Sequence, residues 1–493
     1  MRYVGAIDQG TTSSRFVVVD ENGTFVSMAQ MEHEQGLPKP GWVEHNPAEI
    51  WRNTETVIRK ALEEAGLAAS DLAGVGITNQ RETAVVWDRS SGEAVANAIV
   101  WQDTRTAGIA KSLTETHGAD WFRERTGLPP STYFAGPKVR WLLEERPDLA
   151  RRAGTSELAF GTVDAWLAYK LTGEHVTDVT NASRTMLMDL ETLAWDEELC
   201  DAVGVPMSML ARIVPSIGDI APCRGVLEGT SLATILGDQH AALVGQAAFD
   251  PGDTKVTYGT GAFLVSNTGT DIVRSGAGLL TTVAYQRAGE SAVYALEGSV
   301  AVAGSAVQWL RDNIGLISES PEVETLASTV EDNGDVYFVP AFSGLFAPYW
   351  RDDARGVFAG LTRYANKGHL ARAVLEATAF QTKDVLAAME QDTGAVLNEI
   401  RVDGGMVENA LLMQFQADIL DIDVIVPAVV ETTVLGAAFG AGLATGVWSN
   451  SEDITSHWRE GHRFLPAMAE DRRSELADGW TKAVDRSLNW VMG

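Results

Sequence analysis

Two short turns rich in glycine and threonine, far apart in the chain, bring together residue types suited to handling phosphate. The first is Asp8-Gln9-Gly10-Thr11-Thr12-Ser13-Ser14-Arg15 and the second is Thr257-Tyr258-Gly259-Thr260-Gly261. Backbone N–H groups in such turns converge on an anion-binding hollow, and Thr or Ser hydroxyls add donors. Asp8 would repel a phosphate there unless a cation bridged the two, so its position implies Mg²⁺. Each motif alone also reads as a strand closed by an Asp before a tight turn. A third candidate is Asp238, which follows the apolar run Ala233–Leu236 and Gly237 and so lies at the mouth of a buried segment. A carboxylate in that place can accept the proton that an attacking hydroxyl sheds, or it can serve as a cap or ion pair. Arg81 and Glu82, adjacent charges after an apolar strand, offer a donor and an acceptor for vicinal hydroxyls. Neither a Gly-x4-Gly-Lys-Ser/Thr loop nor a His-Arg-Asp catalytic loop occurs, which removes two common routes to phosphoryl transfer.

The elements that must position these residues come in two similar sets. Val4–Asp8 and Arg15–Asp20 read as strands around the first turn, and Glu21-Asn22-Gly23 leads into a third strand over Thr24–Gln30. A strand in second place distinguishes this opening from a dinucleotide-binding unit, where a helix would follow. Asn46-Pro47-Ala48-Glu49 starts a helix that runs to about Gly66, with an N-cap, Pro at N1 and Glu at N3. Further strands are expected near Gly74–Thr78, Thr83–Trp87 and Ala94–Trp101. The pattern restarts at Lys255–Tyr258 and Ala262–Asn267. An extended run at Val336–Pro340, a long helix near Lys367–Met389 and a strand–Gly-Gly–helix unit at Ile400–Leu420 follow. This repetition predicts two duplicated domains, 1–247 and 248–493, parted near Phe249-Asp250-Pro251-Gly252.

Composition sets limits. A chain of 493 residues, 45% apolar and 21% charged, is long enough for two globular cores. A net charge of −29 disfavours nucleic acid and anionic membranes as partners, since both need a basic face. Cys200 and Cys223 are too few for a disulfide framework and fit a reducing, cytoplasmic setting, although one bridge stays possible on sequence. The first residues have no apolar h-region. Thr432–Ser451 is uncharged but made mainly of Gly, Ala and Thr, so a buried, closely packed helix is expected rather than a membrane span.

In combination these segments resemble the FGGY carbohydrate kinase family. The likeness runs through Asp8–Arg15, Asn79-Gln80-Arg81-Glu82-Thr83, Trp101-Gln102-Asp103, Tyr133-Phe134-Ala135-Gly136, Gly237-Asp238-Gln239-His240, Tyr258–Phe263, Ser343–Trp350 and Asp403-Gly404-Gly405. It continues through Gly356–Leu361, spaced by seven residues from His369-Leu370, and Ala373–Glu376. The resemblance implies an α/β, two-domain actin-like ATPase (ribonuclease H-like) fold with a nucleotide and substrate cleft between the duplicated domains. It further implies that Thr11, Thr12, Ser13 and Arg15 hold the β- and γ-phosphates of ATP, with Thr260 meeting them from the second domain. Gly304, Gln308, Gly405 and Asn409 would line the nucleoside side. Asp238 would be the catalytic base, and Asp8, with Asp238, would face Mg²⁺. Arg81, Glu82, Tyr133, Asp238 and Gln239 would form the hydroxyl network, while Trp101 and Phe263 pack on the acceptor's carbon chain.

The segment Asn79–Glu82 is similar to that of members acting on glycerol rather than on pentuloses. The implied reaction is phosphorylation of glycerol to sn-glycerol 3-phosphate with ADP as co-product, in glycerol catabolism, by a cytoplasmic homo-oligomer, dimer or tetramer. A kinase for another polyol or ketose, an actin-like ATPase without an acceptor, and a catalytically weak sensor are the rival readings. Some bacterial members are controlled by fructose 1,6-bisphosphate through a Gly-Gly-Thr-Arg-like loop, or by a phosphorylated His nearby. Here Arg224–Thr230 lacks the loop pattern and no His lies between His175 and His240, so neither control is expected.

Overall fold

The computed structural model describes residues 1–491, and two mixed sheets dominate it. In the first, β1 (Tyr3–Gln9), β2 (Ser13–Asp20) and β3 (Phe25–Glu32) form the expected antiparallel meander, and β4 (Leu72–Asn79) lies parallel to β1 on its other side. β5 (Ile217–Pro222) and β6 (Ser231–Gly237) pair antiparallel, and β6 runs parallel to β4. The second sheet is built from the hairpin β7 (Thr254–Tyr258) and β8 (Ala262–Gly269), then β9 (Leu280–Tyr285) and β10 (Val293–Val300) on one side. β11 (Glu399–Asp403), β12 (Asp423–Pro427) and β13 (Glu460–Phe464) lie on the other. The order β3-β2-β1-β4-β6 in one sheet matches β10-β8-β7-β11-β12 in the other, with the same succession of antiparallel and parallel partners. The repeated hairpins of the sequence are thus the centres of two sheets of one topology.

Helices fill matching places. α1 (Pro47–Ala65) starts at Asn46, whose side chain accepts from the N–H groups of Ala48 and Glu49, so the orphan donors of the first turn are satisfied. α2 (Asp238–Gly245) follows β6, α3 (Lys367–Thr393) lies between β10 and β11, α4 (Ala410–Leu420) joins β11 to β12, and α5 (Thr432–Thr445) follows β12. Strand alternation feeds two cores. Ile7, Phe16 and Val18 face α1, whereas Val4, Ala6, Val17 and Val19 join a core with Leu236, Val244, Val265, Ala295 and Val434 that both halves share.

Some expectations need amendment. Of Ala94–Trp101 only Ala98–Ile99 is strand, because the chain turns at Val100, where Asp103 N–H returns to the Val100 carbonyl at 3.0 Å. Tyr337–Val339 pairs only with Val357–Ala359, outside both large sheets. The apolar stretch from Thr432 is the buried helix α5, ended by Gly446 in the left-handed region. Among the described residues no helix is long and apolar enough to cross a membrane. Cys200 and Cys223 are both buried and free. The segment from Gln246 to Asp253 joins α2 to β7, and there we propose the division between 1–247 and 248–493.

The two halves meet where α2 crosses α5. A Cβ on Gly436 would stand 1.8 Å from the Ala241 carbonyl oxygen, and one on Gly245 would stand 1.9 Å from that of Thr432. Backbone lies against backbone, and neither side has a flexible atom to yield. Gly436→Ala is therefore expected to destabilise the protein by about 3 kcal/mol, the upper part of the range for overpacking. Gly108→Ala, on a helix with nothing within 4 Å, should be neutral or slightly stabilising. Thermal unfolding of the two variants checks this; equal melting temperatures would contradict the packing account.

Candidate active site

The first turn closes with a Gly10 N–H bond to the Ser13 carbonyl at 3.0 Å, and the hairpin register sets Asp8 opposite Arg15. Asp8 is half-buried. Burial pushes its carboxyl up to about 6; Arg15 pulls the other way, and the Asp238 and Glu431 carboxylates add to the rise. Those mutual effects put the end of β1, the start of α2 and the loop before α5 in one electrostatic neighbourhood. Arg15 is ion-paired with Glu431, at the N-terminus of α5. The Thr11 hydroxyl accepts from Trp101 Nε1 at 3.0 Å, the Ser13 hydroxyl accepts from Gln30 at 2.9 Å, and Thr12 is exposed.

The acceptor candidates converge beside that turn. Trp101 stands edge-on to Tyr133, with ring centroids 5.8 Å apart, and edge-on to Phe263 at 6.2 Å, so side chains from both halves form one aromatic wall. Arg81 Nε lies 3.0 Å from Asp238 Oδ1, which also accepts the Gln239 N–H at 2.7 Å. Gly237, just before Asp238, is needed here because a Cβ would meet Arg81 Cδ at 2.7 Å. Glu82 sits at φ +59°, in the left-handed region, and is 1% exposed.

Behind this wall is a buried charge cluster. Both outer nitrogens of Arg81 donate to Glu297, the NH2 bond being 3.0 Å. Arg184 donates through Nε to Glu82 Oε1 at 2.6 Å and through NH2 to Glu297 Oε1 at 3.1 Å. Burial would raise the Glu297 carboxyl, but Arg184 and then Arg81 overcome it and hold the group down at about 2. Burial also raises Glu82, against the pull of Arg184 and Arg81. Lys138, buried and lowered by that burial to about 7, donates to the carbonyls of Glu82 (3.3 Å), Phe134 (3.2 Å) and Tyr133. It thereby fixes the two loops that carry Glu82 and Tyr133.

Thr260, Gly304, Gln308, Gly405 and Asn409 line one open cleft of about 350 Å³ in the second half, with Tyr258, Pro321 and Met406. The second turn closes like the first, with Gly259 N–H to Gly261 carbonyl at 2.9 Å. Gly404, at φ +89°, lets β11 end against the Tyr258 backbone, where a Cβ would come within 2.4 Å of the carbonyl oxygen. Asp403 accepts from Gln246 at 2.8 Å and from Thr432 at 2.6 Å, tying that end of β11 to α2 and α5.

The structure thus gathers the first turn, Asp238 and the acceptor candidates into one neighbourhood drawn from both halves, and sets the five nucleoside candidates around a cleft of the second half. Among the described residues no cluster of three or more metal-ligating side chains occurs. Asp8 and Asp238 nevertheless suit Mg²⁺, which typically takes one or two carboxylates and completes its shell with phosphate oxygens and water. Glu297, Arg184, Lys255, Lys138 and Glu431 were not foreseen. Glu297 in Tyr294-Ala295-Leu296-Glu297-Gly298 and Lys255 in Thr254-Lys255-Val256 stand in otherwise uncharged strands, and a charge in such a strand is a usable signal. Arg184 and Glu431 sit in segments outside the large sheets with no such mark.

Comparison with known proteins agrees with this geometry over the whole chain. Residues 3–245 match the N-terminal domain, and residues 254–445 the C-terminal domain, of the FGGY family of carbohydrate kinases. A glycerol kinase of Chloroflexus aggregans is 59% identical over 99% of both chains, and one of Brucella anthropi is 56% identical over 99% of both. The crystal structure of Plasmodium falciparum glycerol kinase with ADP superposes with a TM-score of 0.93 at 36% identity, covering 99% of this chain and 98% of that one. A xylulose kinase from Lactobacillus acidophilus, 22% identical over 99% of this chain and 98% of its own, shares the fold with a TM-score of 0.88. Matched by both domain models and more than half identical to such relatives from end to end, the chain belongs to the FGGY family of carbohydrate kinases.

Proposed function

We infer that this protein transfers the γ-phosphoryl group of ATP to a terminal hydroxyl of glycerol, giving sn-glycerol 3-phosphate and ADP, in glycerol catabolism. The observation that carries the substrate is identity of 56–59% over 99% of the chain to proteins named glycerol kinase. Asp238 is the catalytic base. Its carboxylate, oriented by Arg81 Nε, takes the hydroxyl proton as the oxygen attacks phosphorus. Glu82 accepts from a glycerol hydroxyl, and Arg81 and Gln239 supply donors. Trp101 and Phe263 cover the carbon chain and exclude water that would otherwise take the phosphoryl group. Thr11, Thr12, Ser13 and Arg15 receive the phosphates from one side and Thr260 from the other, and the cleft at Gln308 and Asn409 takes the nucleoside. Bound near Asp8 and Asp238, Mg²⁺ would neutralise charge on the phosphate oxygens. Arg15 has to exchange Glu431 for phosphate, a replacement of one anion by another at a preformed guanidinium. A cytoplasmic setting, supported by the two free thiols, and a homo-oligomeric state belong to the same proposal.

ADP release followed against glycerol, dihydroxyacetone, erythritol, xylulose and no acceptor tests the assignment. Strong dependence on glycerol is expected, and release that ignores every acceptor would overturn it. Asp238→Asn should lower kcat by about 10²–10⁴ while ATP still binds, since a general base typically contributes that much; near-normal turnover would remove Asp238 from its role. Arg81→Lys keeps the charge but lacks the fork that reaches Asp238 and Glu297 together. It should cut kcat/KM for glycerol by about 100-fold, the loss expected when a buried charged pair is broken, with KM for ATP little changed.

A further inference from the structure

Lys255 is a buried charge that the reaction as described leaves unused. It lies on β7, 0% exposed, three residues before the Tyr258-Gly259-Thr260 turn. Its ammonium donates to Gln239 Oε1, to the Thr257 hydroxyl at 2.9 Å and to the Phe263 carbonyl oxygen at 3.4 Å. An ammonium has three N–H donors and no acceptor, so all its bonding capacity is spent on these three groups. Two of them, Gln239 and Phe263, belong to the acceptor pocket.

The consequence concerns the amide. A carboxamide fits its site either way round, and its partners decide which way it lies. Facing a donor-only group, Gln239 must turn Oε1 towards Lys255. Nε2 then points away from the lysine, and it has no hydrogen-bond partner among the described residues although Gln239 is only 6% exposed.

We propose that Lys255 is a positioning residue for the acceptor: it locks the Gln239 amide so that the pocket offers an N–H donor, and not an oxygen, to one hydroxyl oxygen of the polyol. The proposal rests on the acceptor-pocket reading above and adds to it the polarity of one contact and the residue that sets it. The logic is complementary to that of Glu82. A hydroxyl oxygen can accept from Gln239 while its proton, or that of a neighbouring hydroxyl, goes to a carboxylate. Lysine and amide also come from different halves, β7 and α2. The strand that delivers the second phosphate turn thereby fixes a specificity group of the first half. Burial lowers the lysine to about 8; the carboxylates of Asp403, Asp238 and Glu297 work against this and Arg81 with it.

The test is a double-mutant cycle read in KM for glycerol, with KM for ATP, kcat and melting temperature measured on each protein. Lys255→Met should raise glycerol KM about ten-fold, the scale of one lost hydrogen bond in a buried site, with KM for ATP within about two-fold of wild type. In a Gln239→Ala background the same change should have no further effect on glycerol KM, because the lysine acts through the amide. Full additivity of the two substitutions, or an unchanged glycerol KM in Lys255→Met, would overturn the assignment. Gln239→Glu keeps an acceptor for Lys255 but replaces the donor by oxygen, so it needs no change at the lysine should Lys255→Met fail to fold. It should raise glycerol KM about ten-fold or more while the protein stays folded; a wild-type KM there would show that oxygen faces the acceptor and end the proposal. Wild-type ADP release serves as the control: indifference to glycerol would sink the acceptor pocket itself, whereas dependence on glycerol with indifferent variants would sink only the role of Lys255.

Discussion

The constraint on which the rest of the molecule depends is that two buried arginines of the first half, Arg81 and Arg184, share a counter-ion, Glu297, that only the second half can bring to them. Arg81, Glu82 and Arg184 come from the first half and Glu297 from the second, and all four are 3% exposed or less. A buried pair gains little net stability over an apolar replacement, but one partner left alone costs several kcal/mol, typically about 3–5. The cluster is therefore better understood as a specification than as a source of stability. It is satisfied only when β10 lies against the strand ends of the first sheet, and that arrangement brings Phe263 to Trp101 and Asp238 to Asp8.

The duplicated topology makes such a meeting possible. Each sheet puts a glycine–threonine hairpin at its centre, β1–β2 in one and β7–β8 in the other. Each also ends a parallel strand in a helix that crosses its counterpart, α2 against α5. At that crossing Gly245 and Gly436 allow backbone contact, so the two hairpins are held at a distance set by main chain and not by adjustable side chains. Asp403, accepting from both Gln246 and Thr432, joins the same crossing to the strand end beside the cleft lined by Gly405 and Asn409. The first turn, the aromatic wall and the crossing are thus tied together through main chain and buried side chains.

Much of this was legible in the sequence, for reasons that can be stated residue by residue. The hairpins announce themselves by apolar runs interrupted by Gly and Thr, α1 by Asn46 and Pro47, and α5 by its small residues. Asp8, Arg81, Glu82 and Asp238 were visible as charges at the ends of apolar strands, but only in combination, since each alone also reads as a turn, cap or ion-pair residue. Trp101 lies beside Tyr133, Phe263 and Thr11, but not on the strand expected around it: that strand is only two residues long, and a turn follows at Val100. Glu297 and Lys255 stayed hidden because pattern reasoning assigns a strand residue to a sheet face, while the partner that makes it functional lies in the other half. Pairing across that distance is a property of the assembled fold. The resemblance to a kinase family supplied the residues proposed to meet ligands but none of those that hold them in place.

What the buried charges do for catalysis follows from when their cost is met. Glu82, Arg81 and Asp238 would each have to shed water to meet a polyol, and for an ion in an open site that penalty would fall on every binding event. Here Glu82 is already desolvated and held by Arg184, Arg81 is held by Glu297 and Asp238 with two N–H groups left over, and Gln239 is gripped by Lys255, so folding has met the cost before glycerol arrives. A neutral acceptor then exchanges water hydrogen bonds for fixed dipoles and charges with little further reorganisation, the condition under which such groups act most strongly on developing charge. The same reasoning accounts for ATP binding by a chain of net charge −29. In the proposed phosphate site the field that matters is that of Arg15 and the turn N–H groups, and the acidic surface beyond it is screened within about a Debye length of 8–10 Å.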